Sequence, residues 1–446
     1  MGRYFGTDGF RGVVNTTLTG QKAFLIGQYL GTVFSRTIDN KIVIGWDTRL
    51  SGEMLAYALA SGAAGCGCEV YLLGVCPTPA VSYLTKARKC SCGVMVTASH
   101  NPYTDNGIKI FSAAGTKISE ELEGEIEDYM DGISSISLPA GDYIGRIIPY
   151  SQEGLDQYLA FLRKEVPLDL TGVRIALDLA NGATTKTAER FLRSLGAYCQ
   201  SIGNNPDGLN INKDCGSTHP ENLVKLVSEG SFHCGFAFDG DGDRLIAVDE
   251  KGELMDGDCT LYICGKYLRD IDQLNQATIV TTVMANLGLH KALEAEMIST
   301  LSTQVGDKYV YSKMVEENYD LGGEQSGHII FRRHLNTGDG LLTALKLLEV
   351  QSKTGTPFSK LHQPLFIYPQ LLKNVKVRDK QAICENTGLL DQIKEIEARL
   401  EGEGRILVRP SGTEPLVRVM AEARSAELCQ QCVDEICTYI EEHFPE

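Results

Sequence analysis

Three stretches of the chain follow one plan, in which a strand-like run ends in a polar turn and leads into a helical pattern. The runs are KIVIGWDTR (41–49), VRIALDLANG (173–182) and TIVTTVMANLG (278–288), and a further strand follows each helical pattern. This strand, helix, strand order predicts parallel or mixed sheets with helices packed on them. We therefore expect an α/β protein in which one mixed-sheet fold occurs three times.

Each copy continues with a second strand that ends in a different polar loop. CGVMV leads to TASHNP, CGFAF leads to DGDGDR, and YDLGG leads to EQSGH. Another short strand follows each loop: GIKIF, LIAVD and HIIF. In open α/β sheets, ligands bind in the loops beyond the strand ends. Three such loops at the same place in three copies predict one functional site.

The repeated order of strands and helices also predicts four domains. We place the first three at 1–149, 150–252 and 253–367, with the serine-containing, aspartate-rich and EQSGH loops respectively. The remainder, 368–446, has a strand RILVR, a turn PSGTEP, a strand LVRVMAEA and a helix from Ala426 to about His443. This pattern is typical of a small α+β domain. A length of 446 residues agrees with three or four domains at about 150 residues each.

Charge and hydropathy exclude several classes of partner. The net charge is −16, and no Lys/Arg-rich run offsets it, so we expect neither nucleic acid nor an anionic membrane as a partner. The first residues, MGRYFGTDGFRG, lack the apolar core of a signal peptide. No uncharged apolar run reaches the roughly 18 residues of a membrane span. We expect a cytoplasmic protein.

Fourteen cysteines are scattered along the chain, and we expect them to be reduced. Two C-x-C pairs and one C-x-x-C leave zinc as an alternative, although the usual paired C-x-x-C spacing is absent. In the last helix Cys429, Cys432, Ile436 and Ile440 recur at helical spacing. That spacing favours a stripe facing the core.

The stretch VTASHNPYTDNGIKIF (96–111) places Ser99 where a strand stops. Ser, Asn and Pro are common in turns, but a serine at the end of a strand can also be a nucleophile. Arg11 and Lys109 come close to this loop if their strands are neighbours. They then either stay solvated on the surface or stabilise a phosphoryl charge and shuttle a proton.

DGDGDR (239–244) places carboxylates at alternate positions, at Asp239, Asp241 and Asp243. In an extended backbone they face the same way, and like charges so close repel one another unless a cation lies among them. Oxygen-only ligands indicate Mg²⁺. The alternative is an EF-hand loop, but Arg244 stands where that loop needs glycine, and the flanks look like strands rather than helices.

RPSGTEP (409–415) combines Arg409 with the hydroxyls of Ser411 and Thr413 around Gly412. Such a loop can surround a phosphate with backbone N–H groups and a guanidinium, or it can be an ordinary turn. GGEQSGH (322–328) offers Glu324 and Ser326, which can hydrogen-bond neighbouring sugar hydroxyls, or it can be a glycine-rich hairpin.

These four loops, in this order, resemble the α-D-phosphohexomutase superfamily over the whole chain. The resemblance implies four domains around a central cleft, the first three sharing a fold. It implies an isomerase that moves a phosphate on a hexose through a phosphoserine enzyme and a 1,6-bisphosphate. Relatives that act on mannose or glucose phosphates typically carry Met where this chain has Gln325. We therefore expect interconversion of glucosamine 6-phosphate and glucosamine 1-phosphate, on the route to UDP-N-acetylglucosamine; the same reaction on mannose or glucose phosphates is the alternative.

The resemblance also implies the site residues. The catalytic group is Ser99, His100, Lys109, Arg11 and Arg244. One Mg²⁺ is held by Ser99, Asp239, Asp241 and Asp243. The substrate is held by Glu324, Ser326, His328, Arg409, Ser411, Gly412 and Thr413. In GDKYV, Lys308 stands where close relatives often have Arg, which weakens the case for a phosphate contact there.

The implied partners are small molecules. They are a hexosamine phosphate as substrate and glucosamine or glucose 1,6-bisphosphate as activator, and the resemblance leaves a homodimer open. Two rival functions remain at this point. A phosphatase would use Asp239 as nucleophile and release phosphate without isomerisation, but it leaves Ser99 and RPSGTEP unexplained. A non-catalytic sugar-phosphate sensor would bind without turnover.

Overall fold

The computed structural model describes residues 2–35, 39–411 and 415–444. The chain forms two compact units. The first is Met1–Met284 with Ile298–Gln363, and the second is Ala285–Met297 with Pro364–Glu446. The first unit contains three sheets and the second contains one.

The first sheet has seven strands in the order β1-β2-β6-β5-β3-β4-β7. They are β1 (Phe5–Gly6), β2 (Gly9–Val13), β3 (Lys41–Trp46), β4 (Glu69–Val75), β5 (Cys92–Val96), β6 (Asp105–Ser112) and β7 (Ile147–Pro149). The accompanying helices are α1 (Gly20–Phe34), α2 (Leu50–Gly65), α3 (Thr78–Ala87) and α4 (Glu120–Met130). β7 lies at the expected end of the first domain, and it pairs in parallel with β4.

The second sheet has five strands in the order β12-β11-β10-β8-β9. They are β8 (Arg174–Asp178), β9 (Tyr198–Ile202), β10 (Cys234–Phe238), β11 (Leu245–Val248) and β12 (Leu254–Met255), with helices α6 (Ala188–Ser194) and α7 (Glu221–Glu229). The preceding helix, α5 (Ser151–Glu165), packs against α3 and β4 of the first sheet. After the run VRIALDLANG the helical pattern is TTKTAERFLRSLG (184–196), which predicts one helix. The structure instead has a 3₁₀ turn, Ala183–Lys186, followed by the short α6. Thr185 and Thr187 donate their hydroxyls to nearby carbonyls there, which competes with α-helical bonding.

The third sheet has four strands in the order β14-β13-β15-β16. They are β13 (Thr278–Thr282), β14 (Ser299–Thr303), β15 (Leu321–Gly323) and β16 (Ile329–Phe331), with helices α8 (Gly257–Asp270), α10 (Asp307–Glu316), α11 (Gly340–Thr354) and α12 (Phe358–Leu361). The helix between β13 and β14, α9 (Leu287–Ala295), belongs to the second compact unit.

Four strands of each of these sheets have the same order and directions, which confirms the repeated mixed-sheet fold. The matching sets are β6-β5-β3-β4, β11-β10-β8-β9 and β16-β15-β13-β14. In each set an antiparallel pair is extended by two parallel strands. The three polar loops follow the equivalent strands β5, β10 and β15, whose residues are buried throughout, as is usual for central strands.

The second unit contains an antiparallel sheet in the order β17-β19-β18. The strands are β17 (Gln370–Lys376), β18 (Gly404–Pro410) and β19 (Leu416–Ala423), and the accompanying helices are α13 (Lys380–Cys384), α14 (Thr387–Arg399) and α15 (Ala426–His443). β18, β19 and α15 agree with the expected strands and helix. β17, α13 and α14 were not predicted. β17 is an edge strand whose side chains are mostly exposed and lack a clear alternation, so its sequence does not show a strand pattern.

All fourteen cysteines lie within the described residues and are free thiols, buried except for the half-buried Cys384. Cys429, Cys432, Ile436 and Ile440 face the core of the second unit, as their spacing predicts. Among the described residues, no helix is both long enough and apolar enough to cross a membrane.

Candidate active site

Ser99 lies three residues beyond the end of β5, in a turn that we call the serine loop (97–105). It is buried, and its backbone is left-handed, with φ of 51°. A non-glycine residue in this conformation costs about 1–2 kcal/mol. Its Oγ donates a hydrogen bond of 2.6 Å to Asp239 Oδ2. The serine loop is therefore a turn, and the turn presents the hydroxyl to a carboxylate of the second domain.

Asp239, Asp241 and Asp243, the aspartate triplet, are buried, and one ligand oxygen of each lies within 4.8 Å of those of the other two. The expectation of an extended backbone is wrong. The residues after Asp239 form a tight turn in which Gly242 has φ of +73°, a conformation that glycine permits. The flanking elements are the strands β10 and β11, so the EF-hand alternative is wrong.

The aspartate triplet fits a hard divalent cation. Asp241 Oδ1 and Asp243 Oδ1 are buried, and neither has a hydrogen-bond partner in the part of the chain that the structure describes. Buried oxygens are almost always paired with a donor or an ion. Burial, and then the charges of Asp241 and Asp243, raise the pKa of Asp239 well above its ordinary value. An Mg²⁺ ion among these oxygens would relieve that concentration of negative charge.

Arg11 and Lys109 lie on the adjacent strands β2 and β6, the condition under which both were expected to come close to the serine loop, and Lys109 contacts the aspartate triplet. β2 and β6 pair antiparallel, with Arg11 opposite Gly107. Lys109 Nζ is 2.7 Å from Asp241 Oδ2 and 3.0 Å from Asp243 Oδ2. Burial lowers the pKa of Lys109, but the two carboxylates outweigh it and raise the pKa above its ordinary value. Lys109 is therefore held as a cation.

Arg244 and His100 complete the polar surroundings of Ser99. The Arg244 backbone N–H donates to Asp239 Oδ1 at 3.2 Å, and its buried Nε has no hydrogen-bond partner among the described residues. His100 Nδ1 is 3.4 Å from Ser99 Oγ. Burial, followed by the charges of Arg244 and Arg11, lowers the pKa of His100 to about 4. At neutral pH, His100 is therefore an uncharged group beside the serine.

The loop between β15 and β16 carries the predicted sugar contacts. Glu324 Oε1 accepts from Gly306 N at 3.0 Å, and burial raises the Glu324 pKa. The neighbouring Ser326 is exposed, so its hydroxyl is open to a ligand. His328 is buried: its Nε2 accepts from Gly338 N at 3.0 Å, and its Nδ1 is 3.7 Å from Asp243 Oδ2. A sugar contact by His328 stays a prediction.

Lys308 forms an ion pair with Glu120, with 3.1 Å between Nζ and Oε1. It also lines a cavity of about 340 Å³, together with Lys117 and His328. The Glu120 side chain is 82% exposed, so solvent screens this pair, and Lys308 can exchange its partner for an anion. A phosphate contact by Lys308 stays a prediction.

Arg409 and Ser411 belong to the second unit. Arg409, the residue before the last of β18, pairs with Arg418 of β19, and burial, followed by the Arg418 charge, lowers the pKa of Arg409. Ser411 is buried, and its N–H donates to Leu416 O at 2.9 Å. Gly412 and Thr413 lie outside the described residues.

Three residues that hold these loops were not predicted from the sequence. Thr78, the first residue of α3, donates from Oγ1 to Asp241 Oδ2 at 2.6 Å and from its N–H to Asp241 O at 2.8 Å. Asn212 Nδ2 and Arg49 Nη2 both donate to the Ser99 carbonyl, each at 2.9 Å. Thr78 had a local signal, since a hydroxyl next to Pro79 is typical of a helix start. Asn212 had none, because it lies in an irregular loop.

Models of phosphoglucomutase/phosphomannomutase domains match four successive parts of the chain. Domain I matches residues 2–137, domain II 156–252, domain III 256–367 and the C-terminal domain 372–438. This order confirms a four-domain protein. The boundaries at 149, 252 and 367 stay a prediction.

A phosphoglucosamine mutase of Oceanobacillus iheyensis is 50% identical over 445 residues, covering 100% of both chains. One of Halalkalibacterium halodurans is 51% identical over 441 residues, covering 99% of this chain and 98% of its own. The chain belongs to the phosphoglucosamine mutase family. It is thereby an isomerase of the α-D-phosphohexomutase superfamily, and this superfamily implies Mg²⁺ and a phosphoserine.

Two solved structures share the fold of this chain. A phosphoglucomutase/phosphomannomutase family protein from Burkholderia thailandensis matches with a TM-score of 0.81 at 24% identity, over 99% of both chains. An N-acetylphosphoglucosamine mutase from Aspergillus fumigatus, in complex with GlcNAc-6P and magnesium, matches with a TM-score of 0.71 at 18% identity, over 99% of this chain and 96% of its own.

Proposed function

We propose that the chain interconverts glucosamine 6-phosphate and glucosamine 1-phosphate, and that Ser99 carries and returns the phosphoryl group. The observation that carries this proposal is the 2.6 Å hydrogen bond from Ser99 Oγ to Asp239 Oδ2, at the edge of three clustered carboxylates. A serine phosphorylated at this position has its phosphate beside the ligands of a divalent cation. Phosphoryl transfer depends mainly on such positioning and on neutralisation of charge.

Asp239, Asp241 and Asp243, with an oxygen of the phosphorylated Ser99, would hold one Mg²⁺. The unpartnered oxygens of Asp241 and Asp243 support this assignment. A bound Mg²⁺ supplies positive charge that stabilises the phosphoryl group in transfer. Thr78 and Lys109, which both contact Asp241 Oδ2, orient that ligand.

In the first transfer, a free sugar hydroxyl attacks the phosphorus on Ser99, so the sugar O–P bond forms and the Oγ–P bond breaks. The hydroxyl proton ends on Ser99 Oγ, and we assign the relay to His100, which is neutral and 3.4 Å from Oγ. Lys109, Arg11 and Arg244 stabilise the phosphoryl charge. The resulting 1,6-bisphosphate turns end for end, and the reverse step returns its other phosphate to Ser99.

The sugar and its second phosphate need separate contacts. We assign the sugar hydroxyls to Glu324 and Ser326, and the choice of amino sugar to Gln325. The phosphate that does not react is assigned to Arg409 and Ser411, together with Gly412 and Thr413 from the same RPSGTEP loop. If the RPSGTEP loop binds the phosphate at either end of the sugar, it can hold the bisphosphate in both of its orientations.

Several finer features belong to the same proposal. Glucosamine or glucose 1,6-bisphosphate first loads Ser99 with phosphate, and the chain works in the cytoplasm, with a homodimer as the candidate assembly. Its partner is the hexosamine phosphate substrate rather than a nucleic acid or a membrane. The acidic net charge of −16 supports this last point.

A coupled assay on glucosamine, glucose and mannose 6-phosphates, with bisphosphate-primed enzyme, tests the proposal. We expect the highest kcat/KM for glucosamine 6-phosphate. Ser99→Ala should abolish turnover with the fold retained, whereas Ser82→Ala, which removes a buried hydroxyl that bonds Gly115 O, should stay active. Full activity of Ser99→Ala would exclude the assigned nucleophile. Phosphate release without isomerisation would indicate a phosphatase, and binding without turnover a sensor.

A further inference from the structure

A closed ring of hydrogen bonds surrounds the backbone of Ser99. The Ser99 N–H donates to Thr97 Oγ1 at 2.9 Å, and Thr97 Oγ1 donates to Asp47 Oδ2 at 2.7 Å. Arg49 Nε donates to the same Asp47 oxygen at 2.9 Å, and Arg49 Nη2 donates to the Ser99 carbonyl at 2.9 Å. One buried ion pair therefore fixes both the N–H and the C=O of this residue.

Four of the five N–H donors of the Arg49 guanidinium bond the serine loop. Besides Ser99 O, Nη2 reaches Asn101 O at 2.8 Å. Nη1 donates to Asp105 O at 3.1 Å and to Pro102 O. With the bond from Nε to Asp47, all five N–H donors of the guanidinium are used. Four of the five acceptors are carbonyls of one seven-residue segment, so Arg49 determines the shape of that segment.

We propose that Asp47, Arg49 and Thr97 are positioning residues for phosphoryl transfer: they hold Ser99 in its left-handed conformation so that Oγ faces Asp239. This inference rests on the proposed function of Ser99. None of the three side chains reaches Oγ in the described contacts, so none is a catalytic residue. They act through the peptide groups on either side of the reacting atom.

The backbone conformation of Ser99 and the burial of the Asp47–Arg49 ion pair both favour a positioning role over simple stabilisation. First, the left-handed backbone of Ser99 is unfavourable by itself, so the surrounding bonds must enforce it. Secondly, Arg49 and Asp47 are both completely buried, and the desolvation of a buried ion pair often offsets its attraction. Such a pair adds little net stability, whereas its fixed geometry determines where the Ser99 hydroxyl lies. A displacement of about 1 Å at a reacting group can reduce the rate about 100-fold.

Thr97→Val opens the ring with almost no change in shape, because it removes one hydroxyl. We expect kcat to fall about 10- to 100-fold, while KM for glucosamine 6-phosphate and the affinity for Mn²⁺ stay within twofold of the wild type. Thr97→Ser keeps the hydroxyl and should restore kcat to within threefold. Thr343→Val is the matched control, because Thr343 is another buried threonine, whose hydroxyl bonds a helix carbonyl. It should leave kcat unchanged.

Arg49→Lys is the second variant, because an ammonium has three donors for five acceptors. We expect a larger loss of kcat than for Thr97→Val, again with KM preserved. Rates are to be divided by the amount of folded protein, from circular dichroism, and by the phosphoserine content, from intact mass. This correction removes the loss that mere unfolding would cause.

The outcomes separate the two proposals. A wild type that isomerises none of the three 6-phosphates overturns the proposed function. An active wild type, with corrected kcat unchanged in Thr97→Val, overturns the positioning role alone. A loss in Thr97→Val that Thr97→Ser does not restore, or one that appears equally in Thr343→Val, also overturns the positioning role.

Discussion

Replacing Thr78 with valine removes one hydroxyl donor from the aspartate triplet and leaves the side chain nearly the same size. The lost bond runs 2.6 Å from Thr78 Oγ1 to Asp241 Oδ2 and is buried. A hydrogen bond to a charged group contributes about 1.5–3 kcal/mol. Lys109 still donates to the same oxygen at 2.7 Å, so we take the lower part of that range, about 1.5–2 kcal/mol. Metal binding should weaken by about 10- to 30-fold.

Two measurements check this expectation for Thr78→Val. The Mg²⁺ concentration that gives half of the maximal rate should rise about 10- to 30-fold, with kcat at saturating Mg²⁺ within threefold of the wild type. Titration with Mn²⁺, followed by electron paramagnetic resonance, measures the same loss without turnover.

The controls for this prediction come from the same helix. Thr78→Ser retains the donor and should bind metal normally. Thr85→Val removes a hydroxyl that bonds only Val81 O within the described contacts, and it should also bind metal normally. A half-saturating Mg²⁺ concentration within twofold of the wild type in Thr78→Val would refute the reasoning that this hydroxyl orients a metal ligand.

Three further predictions concern other parts of the chain. In Gly240→Ala the new Cβ lies 2.5 Å from the carbonyl oxygen of Ser99, so both Tm and kcat should fall. Gly124→Ala is the control: its Cβ points into open space, and the change should stabilise α4 by about 0.8–1 kcal/mol. Equal Tm values for the two variants would contradict this prediction. Gln325→Met should raise the kcat/KM ratio of glucose over glucosamine 6-phosphate about tenfold, and an unchanged ratio would remove Gln325 from substrate selection. Hydrogen bonds, of which that from Lys291 is the largest contribution, lower the pKa of Glu403 from 4.5 to about 2, so the stability that they add is complete above pH 4.5 and is lost as the pH falls to about 2. The difference in Tm between the wild type and Glu403→Gln should therefore shrink over that pH range. A difference that does not depend on pH would contradict the assignment.

Much of the scaffold was predictable because its signals are local. A strand that is buried on both faces is a short apolar run, and CGVMV and CGFAF are such runs. The same order of strands and helices occurs three times in the sequence, and this repetition identified the three equivalent loops. The same local signal failed just before α6, where Ala183–Lys186 form a 3₁₀ turn and threonine hydroxyls bind the backbone. It also failed for the aspartate triplet, whose backbone turns at Gly242 instead of staying extended.

The rest of the site was not predictable because it depends on contacts between distant residues. Thr78 and Asp241 are 163 positions apart, and Asn212 is 113 positions from Ser99. No periodicity in the sequence reports such a pair. Arg49 is close to Asp47 in the sequence, but its other acceptors lie about 50 residues away, so WDTR reads as an ordinary polar turn. The membership of α9 in the second unit is likewise set by packing rather than by pattern.

The burial of the thiols makes the cysteines of the folded chain slow to react. Burial raises the pKa of Cys68 to about 12 and that of Cys199 to about 11. Since the thiolate is the reactive form, a thiol with a pKa of about 12 is ionised in only about one molecule in 10⁵ at pH 7. An alkylating reagent therefore meets reactive sulfur chiefly when part of the chain opens. The rate at which each buried cysteine becomes labelled then measures how often its own sheet or helix opens. The half-buried Cys384 should be labelled fastest and gives the reference rate.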